Sequence, residues 1–189
     1  LNHILCPVDF SENSYAAIEK ASFLAQLFQA DLTLLHVLSV LPRSFGVVWG
    51  RDRQSKDDVA RATEKARDLL RAAKQKYVPY AVTCKSSIRV GKVSEEINAE
   101  AEALNSDLIV MALHGAKLSE ASLTTKVISK STRPVLTYYA SNPEGQENRK
   151  GFRRILIPVD PVVGISDLSQ FVAQYLSLMS PEVMLLTIL

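Results

Sequence analysis

Near the start of the sequence, Ile4-Leu5-Cys6-Pro7-Val8-Asp9 forms an apolar run that ends in a carboxylate, and its pattern predicts the class of fold. Short apolar runs predict buried strands, and the polar residues from Ser11 onward predict the start of a helix. Open α/β sheets hold their ligands in a crevice at the carboxyl ends of the strands. Asp9 directly follows such a strand, and we therefore take it as the first candidate functional residue.

The same pattern occurs a second time, as Ile155-Leu156-Ile157-Pro158-Val159-Asp160. The run Leu34–Leu38 that follows the first copy also returns, as Leu185–Leu189, at the same offset. A repeat of this kind predicts a duplicated unit of strand, helix and strand. We expect a tandem protein whose second copy is incomplete in this sequence. Its expected parts are a first domain at 1–140, a linker at 141–151, and a partial second domain at 152–189 that holds a first strand, a helix and a second strand.

Strands and helices alternate along the first copy. Apolar runs at 3–8, 32–38, 80–88, 107–112 and 134–138 predict five strands, and segments with helical spacing lie at 11–28, 56–77, 93–104 and 122–131. Right-handed crossovers between parallel strands place helices on both faces of a sheet. The expected fold class is therefore α/β, with a five-stranded parallel open sheet. Its ligand crevice should lie over the ends of the first and fourth strands, at Asp9 and Met111–Gly115.

Composition and charge argue against several classes of function. The 189 residues are 47% hydrophobic and 22% charged, which is typical of a soluble globular protein. A formal net charge of +2 gives no electrostatic reason to expect binding to nucleic acid or to a membrane surface. No apolar stretch approaches the roughly 18 residues that span a bilayer. Cys6 and Cys84 lie in predicted strands without metal-ligand spacing, which predicts reduced core thiols and a cytoplasmic protein.

Further motifs follow one another in a characteristic order. They are Pro7-Val8-Asp9-Phe10-Ser11, Leu34-Leu35-His36-Val37, Arg89-Val90-Gly91 with Glu95-Glu96-Ile97, the segment Asn105–Met111, and Arg133-Pro134-Val135-Leu136. In this order they resemble the universal stress protein (UspA-like) family, over residues 2–139 and again over 152–189. The resemblance implies a tandem-domain member of that family, with the fold of the adenine nucleotide α-hydrolases.

The resemblance also implies a ligand, an adenine nucleotide such as ATP, ADP or AMP, with Mg²⁺ as an optional companion. Family members place an Asp like Asp9 near the adenine and read the base with backbone groups at a position like Val37. They hold the phosphates with residues that match Gly115 and Ser122. The nucleotide-binding residues implied here are Pro7, Val8, Asp9, Val37, Met111, Ala112, His114, Gly115, Ser122 and Leu123.

The phosphate-binding pattern of the family is incomplete in this chain. Ala112 and Ala121 stand where the family has Gly, and the segment Ala116–Glu120 between Gly115 and Ala121 is shorter than the pattern requires. Two interpretations stay open. A loop this short supplies fewer backbone amides and predicts weak or absent nucleotide binding. Alternatively, part of the loop is missing from the sequence, as the second domain is incomplete in it.

These observations lead us to expect an adenine nucleotide-binding protein with a stress-response or signalling role. The alternative is a family member that binds no nucleotide and acts as a dimerisation or protein-interaction module. An enzyme is not expected, because His114 has no Ser or Cys nucleophile with a matching acid nearby and the Ser-Gly-Gly loop of PP-loop enzymes is replaced by Phe10-Ser11-Glu12-Asn13. We expect His36 to be a structural histidine rather than a base.

The expected protein partner is a second domain of the same kind. Family members pair through their last strand, which corresponds to Val135–Tyr138 here, and this strand would lie at the edge of the sheet. In a tandem chain the second copy can supply the partner within one molecule as a pseudo-dimer. A homodimer of two chains is the other arrangement. Neither nucleic acid nor a membrane is an expected partner.

Overall fold

The computed structural model of the chain describes residues 1–39, 56–113, 122–138, 154–159 and 182–187. By its internal contacts the chain divides into two compact units, Leu1–Asn142 and Pro143–Leu189. This division falls within the linker expected at 141–151. The segment 40–55, between the second predicted strand and the second predicted helix, lies outside the described residues.

The first unit is built on a five-stranded parallel sheet, with strand order β3-β2-β1-β4-β5. Its elements are β1 (His3–Pro7), α1 (Glu12–Phe28), β2 (Asp31–Ser39), α2 (Lys56–Tyr77), β3 (Cys84–Gly91), α3 (Val93–Ala103), β4 (Leu108–Ala112), α4 (Leu123–Ile128) and β5 (Val135–Tyr138). The expected α/β fold is thus confirmed. The strand order reverses at β1, which lies between β2 and β4, and this places the ligand crevice of such a sheet at the ends of β1 and β4.

Buried side chains cover both faces of the sheet. Leu5 and Leu35 share one core cluster with Ile97 of α3 and Val127 of α4. Ile4, which precedes Leu5 and therefore points to the opposite face, is also fully buried. On that face α1 contacts β1 and β4, and α2 contacts α1 and β2. Strands covered on both sides account for the nearly continuous apolar runs in the sequence.

Two expected elements, the third strand and the fourth helix, have different bounds in the structure, and local hydrogen bonds explain where β3 begins and where α4 ends. The third strand begins at Cys84 instead of 80 and continues to Gly91, because the Val82 amide donates to the Pro79 carbonyl and keeps 79–82 in a turn. The helix expected at 122–131 ends at Ile128. There the Ser129 amide still donates to the Thr125 carbonyl. The Lys130 and Ser131 amides instead donate to carbonyls three residues earlier, as in a 3₁₀ turn.

In the second unit the structure describes two strands, β6 (Arg154–Val159) and β7 (Glu182–Thr187). They pair in parallel, and Pro158 lies opposite Leu186 in the register. In the first unit Pro7 lies opposite Leu35. The two strand pairs therefore have the same register within their repeats. Asp160, the counterpart of Asp9, lies outside the described residues.

Candidate functional site

Three strand ends meet at the carboxyl edge of the first sheet. Pro7 of β1 pairs with Leu35 of β2, and Leu5 of β1 pairs with Ile109 of β4. The Val8 amide extends the first pairing by donating to the Leu35 carbonyl at 2.8 Å. Neighbouring strands are about 4.8 Å apart. Continued by two residues, the register of β1 and β2 would bring Asp9 level with Val37, the two residues that the resemblance to the family implies at the base.

Asp9 lies in the turn between β1 and α1, and its side chain is exposed. Its Oδ1 atom accepts hydrogen bonds from the Ser11 amide at 3.0 Å and from the Ser11 hydroxyl at 2.6 Å. Ser11 is also the N-cap of α1, where its Oγ accepts from the Ser14 amide. Asp9 therefore stands at the first turn of the helix, where a negative charge is favourable. The turn holds this carboxylate at the rim of the crevice.

His36 supports the same turn from the neighbouring strand. Its Nδ1 atom lies 2.7 Å from the carbonyl oxygen of Val8, and its ring lies 4.5 Å from that of Phe10, tilted by 34°. Phe10 has a φ of 67°, a left-handed conformation that is rare for a bulky side chain. The hydrogen bond agrees with the expectation of a structural histidine. That His36 contacts the residues on both sides of Asp9 could not be predicted from the sequence, because it depends on the register of β1 and β2.

The end of β4 is held by buried contacts. Met111 and Ala112 are 4% and 5% exposed, and Val8 on the neighbouring strand is 4% exposed, so little of these three residues is open to a ligand. The Thr124 hydroxyl of α4 lies 3.5 Å from the Ala112 carbonyl, to which it donates. Ala112 is not among the described non-glycine residues with positive φ. Alanine in place of the family's first Gly is therefore unstrained here.

Ser122, the residue that matches the family's phosphate-binding Ser or Thr, caps α4. Its Oγ atom accepts from the Thr125 amide at 3.1 Å and lies 2.8 Å from the Thr125 hydroxyl. Leu123 next to it is 40% exposed. The first turn of α4 contains no acidic residue, whereas that of α1 contains Glu12. Of these two helix starts, that of α4 repels an anion less.

Two of the implied binding residues, His114 and Gly115, lie outside the described residues, as does Ala121, which stands where the family has Gly. Of the other implied residues, Pro7, Val8 and Asp9 follow one another at the end of β1, and Val37 lies near the end of β2. Met111 and Ala112 end β4, and Ser122 and Leu123 begin α4. The residues that can be placed are thus gathered at one edge of the sheet.

Both cysteines are free and buried, as expected for core thiols. Burial raises the pKa of the Cys6 thiol far above its usual value and raises that of Cys84 to about 11. Thiols held protonated in this way are poor nucleophiles and poor metal ligands. Within the described part of the chain, no group of three or more His, Cys, Asp or Glu side chains is arranged to hold a metal ion. Nor do the described helices include one long and apolar enough to cross a membrane.

Comparison with known proteins gives a consistent result. The family model described as the universal stress protein family matches residues 1–138. The universal stress protein Sll1654 of Synechocystis is 32% identical over 138 residues, which cover 70% of this chain and 82% of that protein. The solved structure of hypothetical protein MJ0577 is 29% identical, with a TM-score of 0.56, and the match covers 75% of this chain and 97% of the other.

Two more distant structures share the fold and were solved with ligands. A universal stress protein in complex with cAMP is 17% identical with a TM-score of 0.51, over 74% of this chain and 98% of its own. The universal stress protein from Archaeoglobus fulgidus in complex with dAMP is 18% identical with a TM-score of 0.51, over 72% and 96%. The order of the motifs, the sheet topology and these matches agree, and the chain belongs to the universal stress protein family.

Proposed function

We propose that this protein binds an adenine nucleotide at the carboxyl edge of its first sheet, in a stress-response or signalling role. The observation that carries the proposal is the meeting of the ends of β1, β2 and β4, with the exposed Asp9 carboxylate at the rim. Structures with the same fold were solved with cAMP and with dAMP, which are both adenine nucleotides. Asp9 and Val37 would contact the base, and the backbone of Val8, Met111 and Ala112 would line the floor.

The phosphate group would lie toward α4, on the side of Gly115 and Ser122. The first turn of α4 has no acidic residue, and Glu120, two residues before the N-cap Ser122, is the only acidic residue that shortly precedes it in the sequence. At the start of α1, Asp9 and Glu12 would repel an anion. The charges at the two helix starts thus favour one orientation, with the base over β1 and β2 and the phosphate beside β4.

Isothermal titration calorimetry with ATP, ADP, AMP, cAMP and dAMP tests the proposal. We expect saturable binding of at least one of these nucleotides at concentrations up to about 1 mM, with little binding of the guanine counterparts. Asp9→Asn should weaken it by tenfold or more. The matched control is Asp68→Asn, which changes an exposed aspartate of α2 that pairs only at the surface with Arg71. No heat with any nucleotide would refute the proposal, and repeating the titration with EDTA tests the role of Mg²⁺.

An assay of ATP hydrolysis distinguishes a binding protein from an enzyme. We propose a binding protein rather than an enzyme, acting in the cytoplasm, in keeping with its two free thiols. Prolonged incubation with ATP should release no ADP beyond that of a blank without protein. If all nucleotides fail to bind, the alternative of an interaction module gains support. The short segment Ala116–Glu120 and Ala121 favour that alternative.

We also propose that the second unit is a second copy of the domain and pairs with the first. The equal register of β1 with β2 and of β6 with β7 supports the duplication. The described sheet of the first unit ends at β5, whose four residues are all half-buried, and this strand could accept a partner. Light scattering after size exclusion distinguishes a monomer, expected for an internal pseudo-dimer, from a homodimer.

A further inference from the structure

We propose that His36 is a positioning residue for Asp9, and this inference rests on the proposed nucleotide-binding function. A single imidazole ring contacts the residues on both sides of Asp9 in the chain. Its Nδ1 atom is 2.7 Å from the Val8 carbonyl oxygen, and its ring centre is 4.5 Å from that of Phe10. His36 therefore holds the backbone immediately before and after the carboxylate.

The hydrogen bond fixes the tautomer of the ring. The Val8 carbonyl oxygen can only accept, so that Nδ1 of His36 must carry the hydrogen and donate it. In the neutral ring the lone pair then lies on Nε2. A histidine free in water prefers the other tautomer, with the hydrogen on Nε2. The structure thus assigns an uncommon protonation pattern to this ring, and the pattern can be observed without any ligand.

The turn needs such support because its backbone is strained. A φ near 67°, as at Phe10, is a strained conformation for a bulky residue and persists only where the surrounding structure imposes it. The Phe10 side chain packs against His36, and Val8 is anchored to it by the hydrogen bond. With both ends held, the Asp9 carboxylate remains over Ser11, to which it is hydrogen bonded at 2.6 Å and 3.0 Å. Without the anchor, the turn would be free to relax and carry Asp9 away from the base.

The tautomer is tested first, by two-dimensional NMR of the imidazole nitrogens in ¹⁵N-labelled protein above pH 7.5. We expect the His36 resonances to show hydrogen on Nδ1 and none on Nε2. His36→Gln provides the assignment, since its spectrum lacks these signals. Hydrogen on Nε2 would overturn the inference, whatever the protein binds.

The second test compares two substitutions that differ only in which ring nitrogen they replace. The amide nitrogen of Asn occupies the place of Nδ1, and that of Gln occupies the place of Nε2. His36→Asn therefore keeps the donor to Val8, His36→Gln loses it, and both lose the ring that packs on Phe10. We expect His36→Gln to weaken nucleotide binding roughly tenfold, the value of one lost hydrogen bond, and His36→Asn to weaken it less than threefold. Equal losses in the two variants would contradict the role of the Nδ1 donor.

A ligand-free measurement keeps this test separate from the proposed function. The Ser11 amide, which donates to Asp9, should exchange its hydrogen with solvent faster in His36→Gln than in His36→Asn, while amides of β4 stay unchanged. If the wild-type protein binds no nucleotide, the proposed function fails, and the exchange rates still decide whether His36 holds Asp9. Equal exchange at Ser11 in both variants would show that it does not.

Discussion

The two edges of the first sheet differ in what their polar side chains bind. At the amino edge, His3 of β1 joins the neighbouring strands, because its Nδ1 lies 2.9 Å from the Ser106 hydroxyl before β4 and its Nε2 lies 2.9 Å from the Thr33 hydroxyl of β2. Ser106 is fully buried, and Thr33 is 4% exposed. Nearby, Asp107 accepts from the amides of Asn2 and His3. Side-chain hydrogen bonds at this edge therefore connect three neighbouring strands, β2, β1 and β4.

At the carboxyl edge the side-chain contacts of Asp9 are local, and the backbone beside it is strained. Asp9 binds Ser11, two residues away, and its side chain is exposed. Of the three described non-glycine residues with positive φ, Gln29 and Asn105 follow helices near the amino edge, where this conformation is common. The third, Phe10, precedes a helix at the carboxyl edge. The contrast indicates that contacts at the amino edge stabilise the sheet, whereas the carboxyl edge keeps a carboxylate accessible to a ligand.

The sharpest test of this contrast replaces one histidine at each edge. His3→Ala leaves two buried hydroxyls without their ring partner, and we expect it to lower the free energy of unfolding by about 3 kcal/mol. His36→Ala removes one hydrogen bond at a half-exposed position and should cost about 1 kcal/mol. Urea unfolding followed by circular dichroism measures both. Equal losses would mean that the two edges contribute alike to stability.

A smaller effect on the free energy of unfolding is expected when an aspartate at each edge, Asp107 or Asp9, is replaced. Asp107→Ala removes hydrogen bonds to the amides of Asn2 and His3, which connect segments distant in the chain, and we expect a loss of about 2 kcal/mol. Asp9→Ala removes contacts within a single turn and should cost about 1 kcal/mol or less. Only Asp9→Ala should abolish nucleotide binding. The contrast fails if Asp9→Ala destabilises the protein more than Asp107→Ala does.

The sequence predicted much of this arrangement, and the reasons are physical. Apolar runs located the strands, Ser11 marked the start of α1, and the α/β pattern put the expected crevice over the first and fourth strands, which are neighbours in the sheet. The spacing of apolar residues does not predict contacts that depend on the register between strands distant in the sequence, such as those of His3 or His36. It also misplaced the start of β3, because the turn at Pro79 depends on a single backbone hydrogen bond.

A third prediction concerns pH. Burial lowers the pKa of His3 below the usual value for a histidine. Lys85 lowers this pKa further, whereas the negative charges of Asp31, Asp107 and Glu100 oppose the shift. The unfolded chain therefore takes up the proton first as the pH falls, and stability should decrease from pH 7.5 to 5.5. The unfolding temperature of His3→Gln, in which this proton is absent, should decrease less over the same range. Parallel pH profiles of the two proteins would exclude His3 as the cause.

The smallest expected effect on the free energy of unfolding comes from glycine substitutions at two residues with positive φ, Gln29 and Phe10. Gln29 ends α1 with a φ of 54°, is exposed, and donates its amide to the Ala25 carbonyl. Because glycine adopts this conformation without steric cost, Gln29→Gly should raise the free energy of unfolding by about 0.5 kcal/mol after the added entropy of the unfolded chain is counted.

Phe10→Gly relieves the same kind of strain, but it removes the ring that packs against His36. We therefore expect it to bring no gain in stability and to weaken nucleotide binding. Urea unfolding and calorimetry of both variants measure these outcomes. A stabilised Phe10→Gly protein with unchanged binding would show that the left-handed turn at the carboxyl edge is not maintained for Asp9, because relaxing it would then improve stability without loss of function.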